Sequence, residues 1–261
     1  MLDIKNLHVT FHSTGKEAVR GIDLSMAPGQ RLGLVGESGS GKTVTAMALS
    51  GLIERWNVDM TGQVLFCGKD LLSCSRGELR AVQGRDIGVV FQEPMTSLNP
   101  LMKVGRQVEE TLKIHTTMTP AERKQAALEA LEQVGLPDPA GTYEKYPHQM
   151  SGGQRQRAVI ASAMVIHPKL LICDEPTTAL DVTVQAQILE LLKGLSDEFG
   201  VAILLISHDL SVVRRLCERV AVMYKGQIVE RGATEDVFTR PQDDYTRRLI
   251  AAIPTRTKRH G

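Results

Sequence analysis

The residues of this chain with the clearest chemical role form one short glycine-rich stretch. Its members are Gly36, Glu37, Ser38, Gly39, Ser40, Gly41, Lys42 and Thr43. The glycines allow positive φ and let backbone N–H groups surround phosphate oxygens. The spacing G-x-x-x-x-G-K-[ST] indicates a phosphate-binding loop in which Lys42 contacts the β- and γ-phosphates and the Thr43 hydroxyl binds Mg²⁺. The alternative is a chance glycine-rich turn.

The segments on either side of this loop have the required order of a strand and a helix. Residues 31–35 are apolar enough for a buried strand, and residues 44–53 carry apolar and small side chains at helical spacing. A helix start behind the loop adds unpaired N–H groups and partial positive charge at the phosphate. The sequence therefore predicts an α/β domain built around a phosphate site.

Two adjacent carboxylates follow a second apolar run. Residues 170–173 predict a central parallel strand, and Asp174 and Glu175 come directly after it. Ligands of open α/β sheets bind at the carboxyl ends of strands, so Asp174 is expected in the Mg²⁺ shell. Glu175 points to the other side and is expected to polarise a water for attack on the γ-phosphate. The alternative is a pair of solvated acids at a strand end.

A second helix start also has the features of an anion site. Ser151, Gly152, Gly153 and Gln154 offer a hydroxyl and unhindered N–H groups at the beginning of a helix predicted over residues 152–167. The chain already has one such terminus at the glycine-rich loop, and a single domain has no evident need of two.

Composition restricts the choice of partners. The 261 residues include 31 basic and 30 acidic side chains, so neither nucleic acid nor an acidic surface is favoured as a partner. The first residues lack a basic and an apolar signal region, and apolar runs of about 18 residues are absent. These features predict a cytosolic chain that is not itself embedded in a membrane. The scattered cysteines are expected to be reduced thiols without a metal site.

The remaining pattern divides into strands and an inserted helical part. Alternating segments at residues 2–11 and 19–26 predict an antiparallel hairpin. Phe11 ends the first of these strands and is expected to stack on an adenine, with Val19 beside it; a core position is the alternative for Phe11. Residues 104–134 have helical periodicity interrupted by a capping box at Thr119, which predicts two helices of an inserted subdomain. Further strands are predicted at 62–68, 87–91, 201–206, 219–223 and 227–230, and helices at 182–199 and 210–216.

Taken together, these motifs resemble the ATP-binding subunit of an ATP-binding cassette (ABC) transporter. The resemblance covers nearly the whole chain and implies ATP and Mg²⁺ as cofactors. It makes Gln92 the Q-loop glutamine, a catalytic residue and metal ligand, and it makes residues 178–181 the D-loop, with Asp181 at the nucleotide. His208 matches the catalytic switch histidine, although a structural histidine is the alternative on this residue alone. Residues Ser151 to Gln154 match the signature motif, which completes the nucleotide site of a partner subunit.

The implied fold is a P-loop NTPase with a RecA-like mixed-sheet core, an N-terminal antiparallel β subdomain and an inserted α-helical subdomain. The predicted single domain spans 1–261, with residues 1–91 and 168–240 as catalytic core, 92–167 as Q-loop and helical subdomain, and 241–261 as a C-terminal extension. Segments 91–100, 146–153, 174–185 and 240–254 resemble the branch that imports dipeptides, oligopeptides, nickel or metal chelates. The chain ends at Gly261 without the cysteine-bearing tail of many oligopeptide members, which keeps both solute classes open.

The resemblance also implies an assembly. Two permease subunits, a second ATPase subunit and, indirectly, an extracytoplasmic solute-binding protein are the expected partners, on the cytoplasmic face of a membrane. Docking is expected where Met95, Leu98, Leu101 and Met102 expose apolar surface after Gln92, with a core-filling loop as the alternative. The rival functions are a soluble ATPase of the same fold acting on nucleic acid or ribosomes and a nucleotide-binding regulator without turnover.

Overall fold

The computed structural model describes residues 1–91, 97–178 and 180–252, which form two β-sheets and the helices packed on them. The strands within these ranges are β1 (Leu2–Phe11), β2 (Glu17–Met26), β3 (Arg31–Val35), β4 (Val58–Phe66), β5 (Lys69–Asp70), β6 (Ile87–Val90), β7 (Leu170–Asp174), β8 (Ala202–Ser207), β9 (Arg219–Tyr224) and β10 (Gln227–Ala233). The predicted α/β mixed-sheet fold with an antiparallel N-terminal part is confirmed.

The helices alternate with the strands or cluster between β6 and β7. Those of the described ranges are α1 (Lys42–Leu49), α2 (Arg76–Val82), α3 (Val104–His115), α4 (Pro120–Gln133), α5 (Pro139–Glu144), α6 (Gly152–Met164), α7 (Val182–Phe199), α8 (Leu210–Leu216), α9 (Thr234–Thr239) and α10 (Asp244–Ala251). Short 3-10 helices span Arg55–Asn57 and Pro147–Gln149. Within the described part of the chain, every helix is too short or too polar to cross a bilayer.

The six-stranded sheet carries the core of the molecule. Its order is β10-β9-β3-β8-β7-β6, parallel except for the antiparallel pair of β9 and β10. The sequence of β8 is continuously apolar because both of its faces are buried. Ile203 and Leu205 face one hydrophobic cluster, and Leu204 and Ile206 face the other. A central parallel strand is covered on both faces, so alternation with polar residues is lost.

The four-stranded antiparallel sheet, in the order β2-β1-β4-β5, covers one of these faces. The β1–β2 hairpin pairs Leu2 with Met26 and Val9 with Val19, all buried. One face of each strand is packed against α1 and the large sheet, and the other is solvated, which explains the alternating pattern in the sequence.

Helices α3, α4, α5 and α6 pack on one another between β6 and β7. Gly105 of α3 lies against the ring of Tyr143 in α5, where an added Cβ would come within 1.9 Å of a ring atom. The Tyr143 hydroxyl donates a hydrogen bond to the buried carboxylate of Glu109, and burial raises the Tyr143 pKa to about 12. The two helices predicted on either side of the Thr119 capping box are confirmed as α3 and α4.

Several helix boundaries differ from the sequence-based predictions. Helix α1 ends at Leu49 instead of 53, and α6 ends at Met164 instead of 167, because local turns close each helix early. Pro139 begins α5: proline needs no N–H at the first helical position, and Asp138 accepts the Gly141 N–H at 2.9 Å. Helices α2, α9 and α10 were not predicted.

Candidate functional site

A cleft of about 690 Å³ opens where three adjacent parallel strands, β3, β8 and β7, end. The glycine-rich loop follows β3, Glu175 follows β7, and His208 follows β8. Because the carboxyl ends of neighbouring parallel strands meet at one edge of a sheet, these sequence-distant segments converge there. The cleft is lined by residues 36–39 and 41–44 together with Phe11, Lys16, Ala18, Glu175, Thr178, His208 and Leu249.

The loop requires glycine for conformational and steric reasons. Gly36, Gly39 and Gly41 have φ of 154°, 77° and 110°. A Cβ on Gly36 would lie 2.1 Å from the Met223 carbonyl oxygen, and one on Gly41 would lie 2.5 Å from the Ala18 carbonyl oxygen. Since these neighbours are backbone atoms of β9 and β2, they cannot yield as a flexible side chain would. The loop shape is therefore set by packing against both sheets.

Lys42 places a buried positive charge inside the loop. Its side chain is only 5% exposed, and its Nζ donates to the carbonyl oxygens of Gly36 at 2.8 Å and Glu37 at 2.9 Å, with the Ser40 hydroxyl at 3.4 Å. Burial lowers the pKa of Lys42, although the nearby carboxylates oppose that shift. An ammonium group held by neutral carbonyl oxygens remains available to an anion, and phosphate is the anion that this loop geometry suits.

Thr43 and Asp174 bring two oxygen donors together beneath the loop. Burial raises the pKa of Asp174, and a hydrogen bond from the Thr43 side chain acts in the opposite direction. Magnesium is bound by few protein oxygens because it keeps waters and takes substrate phosphates as ligands. Within the described ranges, clusters of three or more His, Cys, Asp or Glu suited to a metal are absent. A hydroxyl and one carboxylate therefore fit Mg²⁺ held jointly with a nucleotide.

Glu175 is held in a strained backbone conformation by several hydrogen bonds. Its φ of 48° lies in the left-handed region, and its N–H donates to the Ile206 carbonyl oxygen at 2.9 Å. Its carboxylate lies 2.7 Å from His208 Nδ1 and accepts a hydrogen bond from the Thr178 hydroxyl at 2.8 Å. Such strain costs about 1–3 kcal/mol and is retained where geometry serves function. The arrangement can present a carboxylate base toward the phosphate loop.

Comparison with known proteins settles the family. A model described as ABC transporter matches residues 19–178, which is more than half of the chain. An oligopeptide transport ATP-binding protein of Bacillus subtilis is 49% identical over 258 residues, covering 98% of this chain and 72% of that protein. The chain belongs to the ABC transporter family.

Within that family the chain is an ATP-binding ATPase of the branch that contains peptide importers. A peptidoglycan transport ATP-binding protein of Agrobacterium fabrum is 52% identical over 257 residues, and the chain spans 47% of that protein's length. A dimeric ATP-binding cassette solved in a post-hydrolysis state with ADP and Pi has a TM-score of 0.79 at 29% identity, covering 90% of this chain and 99% of that one. These matches do not support the alternative of a soluble ATPase acting on nucleic acid or ribosomes.

Of the two residues expected to contact adenine, Phe11 lines the cleft and Val19 does not. Phe11 is half-buried at the end of β1 and lines the cleft. Val19 is fully buried in the core and has no surface toward the cleft, because side chains alternate along β2. Ala18, the preceding residue, lines the cleft instead.

The predicted signature motif does not line the cleft of its own chain. Ser151 caps α6, accepting the Gln154 N–H at 3.3 Å while the Gln154 side chain accepts the Ser151 N–H at 3.0 Å. A Cβ on Gly153 would lie 2.8 Å from a methyl group of Val184, so this helix start lies beside the start of α7. Asp181 caps α7, accepting the Val184 N–H at 2.9 Å. The helix starts at Ser151 and Asp181, which belong to the predicted signature motif and D-loop, therefore lie beside each other, and neither residue lines the cleft.

Two predictions concern the segment after β6. Gln92 and Met95 lie outside the described residues. Leu98, predicted to be exposed at a docking tip, is buried at 3% exposure in the core cluster that includes the α3–α6 helices, so that prediction is wrong. Leu101 is 87% exposed, as expected, because a side chain at the turn before α3 has no core to reach.

Sequence reasoning missed other residues of the cleft, including Lys16, Ala18 and Leu249, and it named Thr178 only as the first residue of the D-loop. Thr178 lies three residues after Glu175, a spacing that could have suggested a hydrogen bond across the turn. Leu249 belongs to α10, which the sequence analysis placed only in a C-terminal extension. No local signal relates Leu249 to a loop more than 200 residues earlier, because only the tertiary fold brings them together.

Proposed function

We propose that this ABC protein is one of two ATP-hydrolysing subunits that drive an importer for dipeptides or oligopeptides. The observation that carries the proposal is the convergence of Lys42, the Thr43–Asp174 pair and the Glu175–His208 pair at one cleft. These groups supply phosphate affinity, metal donors and a base within a single site. The names of the relatives favour peptides over nickel or metal chelates, the other solutes of this branch.

In the proposed mechanism, Lys42 exchanges its two carbonyl acceptors for β- and γ-phosphate oxygens. Mg²⁺, when bound, neutralises developing phosphate charge, and Thr43, Asp174 and Gln92 are the proposed protein ligands. Glu175 accepts a proton from the attacking water at its carboxylate. His208, 2.7 Å from that carboxylate, keeps the base oriented toward the γ-phosphate. Phe11 supports the adenine, and the N–H groups of the glycine loop bind phosphate oxygens.

The nucleotide site is proposed to be shared between two ATPase subunits. Residues 151–154 and Asp181 carry an anion-binding helix start and a cap, but they lie apart from the cleft of their own chain. A head-to-tail partner, either a second copy or a paralogous subunit, would place its own residues 151–154 against the bound ATP. Closure around ATP would then bring both subunits together.

The proposed domain division follows from this role. Residues 1–91 and 168–240 form the catalytic core, residues 92–167 form the Q-loop and helical subdomain, and residues 241–261 form an extension. The two permease subunits are proposed to dock on the surface near Leu101, an apolar side chain that is 87% exposed in the turn before α3. This places the ATPase peripherally on the cytoplasmic face, with a solute-binding protein on the opposite face.

The shared site can be tested with Glu175→Gln, which keeps shape and hydrogen bonding but cannot take a proton. With ATP this variant should run as a dimer on a sizing column, alone or with a paralogous partner, because hydrolysis no longer reopens the pair. Adding Ser151→Arg should abolish that dimer by placing a bulky cation at the opposed site. A Glu175→Gln protein that stays monomeric with ATP beside its partner contradicts the proposal, as does a dimer that tolerates Ser151→Arg.

A further inference from the structure

Helix α10 packs against the start of the phosphate loop. Tyr245 is 5% exposed, and its hydroxyl oxygen accepts a hydrogen bond from the Glu37 N–H at 2.9 Å. Its ring stacks on that of Tyr224 at the end of β9, with centroids 4.1 Å apart. The phosphate loop is thus in direct contact with a residue 208 positions later in the chain.

The position of this helix is determined by the neighbouring strand β10. Both carboxylate oxygens of Glu230 accept backbone N–H groups at the entry to α10, from Gln242 at 2.9 Å and from Asp243 at 3.1 Å. Asp243 in turn caps the helix by accepting the Tyr245 N–H at 2.8 Å. These bonds hold the first turn of α10 to the sheet edge, so the Tyr245 hydroxyl is presented to the loop from a rigid support.

The hydrogen bond from Glu37 N–H to Tyr245 bears directly on Lys42. The Glu37 N–H and the Gly36 carbonyl belong to one planar peptide group. Lys42 Nζ donates to that Gly36 carbonyl at 2.8 Å. Tyr245 and Lys42 therefore hold opposite ends of the same peptide unit. When Lys42 exchanges its carbonyl acceptors for phosphate, Tyr245 is the group that keeps this peptide from rotating.

The same helix also contributes to the wall of the cleft. Leu249 follows Tyr245 by four residues, which places both side chains on one face of α10. Leu249 is half-buried and lines the cleft together with the loop residues. Its neighbour Ile250 is also half-buried and packs on the core, but it does not line the cleft.

We propose that α10 is part of the nucleotide site, with Tyr245 as a positioning residue for the phosphate loop and Leu249 as a wall residue that contacts the bound nucleotide. The proposal assigns a role to the extension that begins at residue 241. It rests on the proposed use of the cleft for ATP. Ground-state binding should therefore depend on α10, whereas the chemical step is assigned to the Glu175–His208 pair.

The test of Tyr245 compares Tyr245→Phe with Tyr224→Phe in the full chain. Both variants keep the stacked rings, but only the first removes the acceptor of the Glu37 N–H. For Tyr245→Phe, the KM for ATP and the Kd for a fluorescent ATP analogue should rise about three- to tenfold, with kcat within about twofold. Tyr224→Phe should leave both constants unchanged. A Tyr245→Phe protein with unchanged KM and Kd overturns the positioning role, whatever its melting temperature.

The test of Leu249 compares Leu249→Ala with Ile250→Ala, two shortened side chains on the same turn. Leu249→Ala should raise the Kd for the ATP analogue several-fold, and Ile250→Ala should not. Equal Kd values for the two variants overturn the wall role, and this comparison stays decisive if Tyr245→Phe folds poorly. Lys42→Ala, measured beside these variants, separates the role of α10 from the proposed use of the cleft for ATP. If Lys42→Ala binds ATP normally, the cleft is not the ATP site. If Lys42→Ala loses binding while the Tyr245 and Leu249 variants keep it, the cleft is the ATP site and only the role of α10 fails.

Discussion

Two glycine-containing helix starts in this chain, at Lys42 and at Gly152, are built in opposite ways. The first follows a loop whose glycines at 36, 39 and 41 have positive φ, and two of them, Gly36 and Gly41, lie against backbone atoms of the two sheets. The second has an ordinary serine cap, and among the described residues a Cβ added to Gly152 would meet only a Leu180 methyl group at 3.7 Å. The first start is enclosed by its own chain, whereas the second is a regular helix end.

The two helix starts also differ in the charged groups that surround them. Lys42 lies near Asp174 and Glu175, and burial lowers the pKa of Lys42 while it raises that of Asp174. The helix start at Ser151 lies beside the apolar side chains of Leu180 and Val184. The difference indicates that the first start can bind a charged ligand within one chain. The second offers only a hydroxyl and N–H groups, which suits a contribution to a site completed by another subunit.

The largest expected effect comes from removing the charge at the first helix start. Lys42→Ala should reduce ATP affinity by about 10- to 150-fold, since a charge-assisted contact contributes about 1.5–3 kcal/mol. Turnover should fall at least as far. Isothermal titration and phosphate release measure the two effects, with Lys193→Ala on the exposed face of α7 as the control. If folded Lys42→Ala kept normal turnover, the first helix start would not be the one that binds phosphate within its own chain.

A second, smaller effect concerns folding. Gly36→Ala should lower the free energy of unfolding by about 1–3 kcal/mol, because its Cβ meets a backbone oxygen of β9 at 2.1 Å. Gly152→Ala should leave stability unchanged or raise it by up to about 1 kcal/mol, since the helical position has room for a methyl group. Denaturant unfolding without nucleotide measures both. If both substitutions destabilised the chain equally, the two helix starts would not differ in how tightly their glycines are packed.

The smallest expected effect is a pH dependence at Asp174. Burial raises its pKa above the unfolded value, so the folded chain favours the protonated form. Compared with a neutral side chain, Asp174 therefore lowers the free energy of unfolding of the chain as the pH rises through the folded pKa of Asp174. This loss is absent below the pKa of an unfolded aspartate, about 3.9. Asp174→Asn should raise the ligand-free melting temperature at pH 8 and raise it less at pH 4.

The exposed residue Glu54 provides the matched control, because Glu54→Gln removes a carboxylate without changing a buried site. A melting temperature of Asp174→Asn that shows no dependence on pH would mean that the charge at residue 174 carries no folding cost. The comparison of electrostatic surroundings would then fail, because the carboxylate near Lys42 would cost no more to bury than the uncharged groups at Ser151.

Much of the fold and of the candidate site could be predicted from short sequence patterns. The glycine-rich loop after β3, the carboxylates at the end of β7 and the histidine after β8 all adjoin runs of apolar residues, which are recognisable without tertiary information. The hairpin of β1 and β2 follows from alternation, and α4 follows from the Thr119 capping box. In each case the relevant interaction is local in the chain.

Other predictions failed because burial depends on distant partners. Val19 and Leu98 have the same apolar character as cleft or surface residues, but the packing of β2 and of the helices between β6 and β7 buries both. A sequence pattern states how apolar a side chain is, and it does not state which face of the assembled sheet or helix group it reaches.

The sequence by itself determined which chemical groups this protein carries: a glycine-rich loop with Lys42 and Thr43, two carboxylates at a strand end, and a second helix start predicted to bind an anion. Those features depend on residue type and spacing within a few positions. The tertiary structure alone decided which of them share a cleft, that Ser151 lies apart from Lys42, and that Tyr245 supports the phosphate loop. The physical reason is that these contacts form between segments that only the parallel sheet order and the packing of α10 bring together.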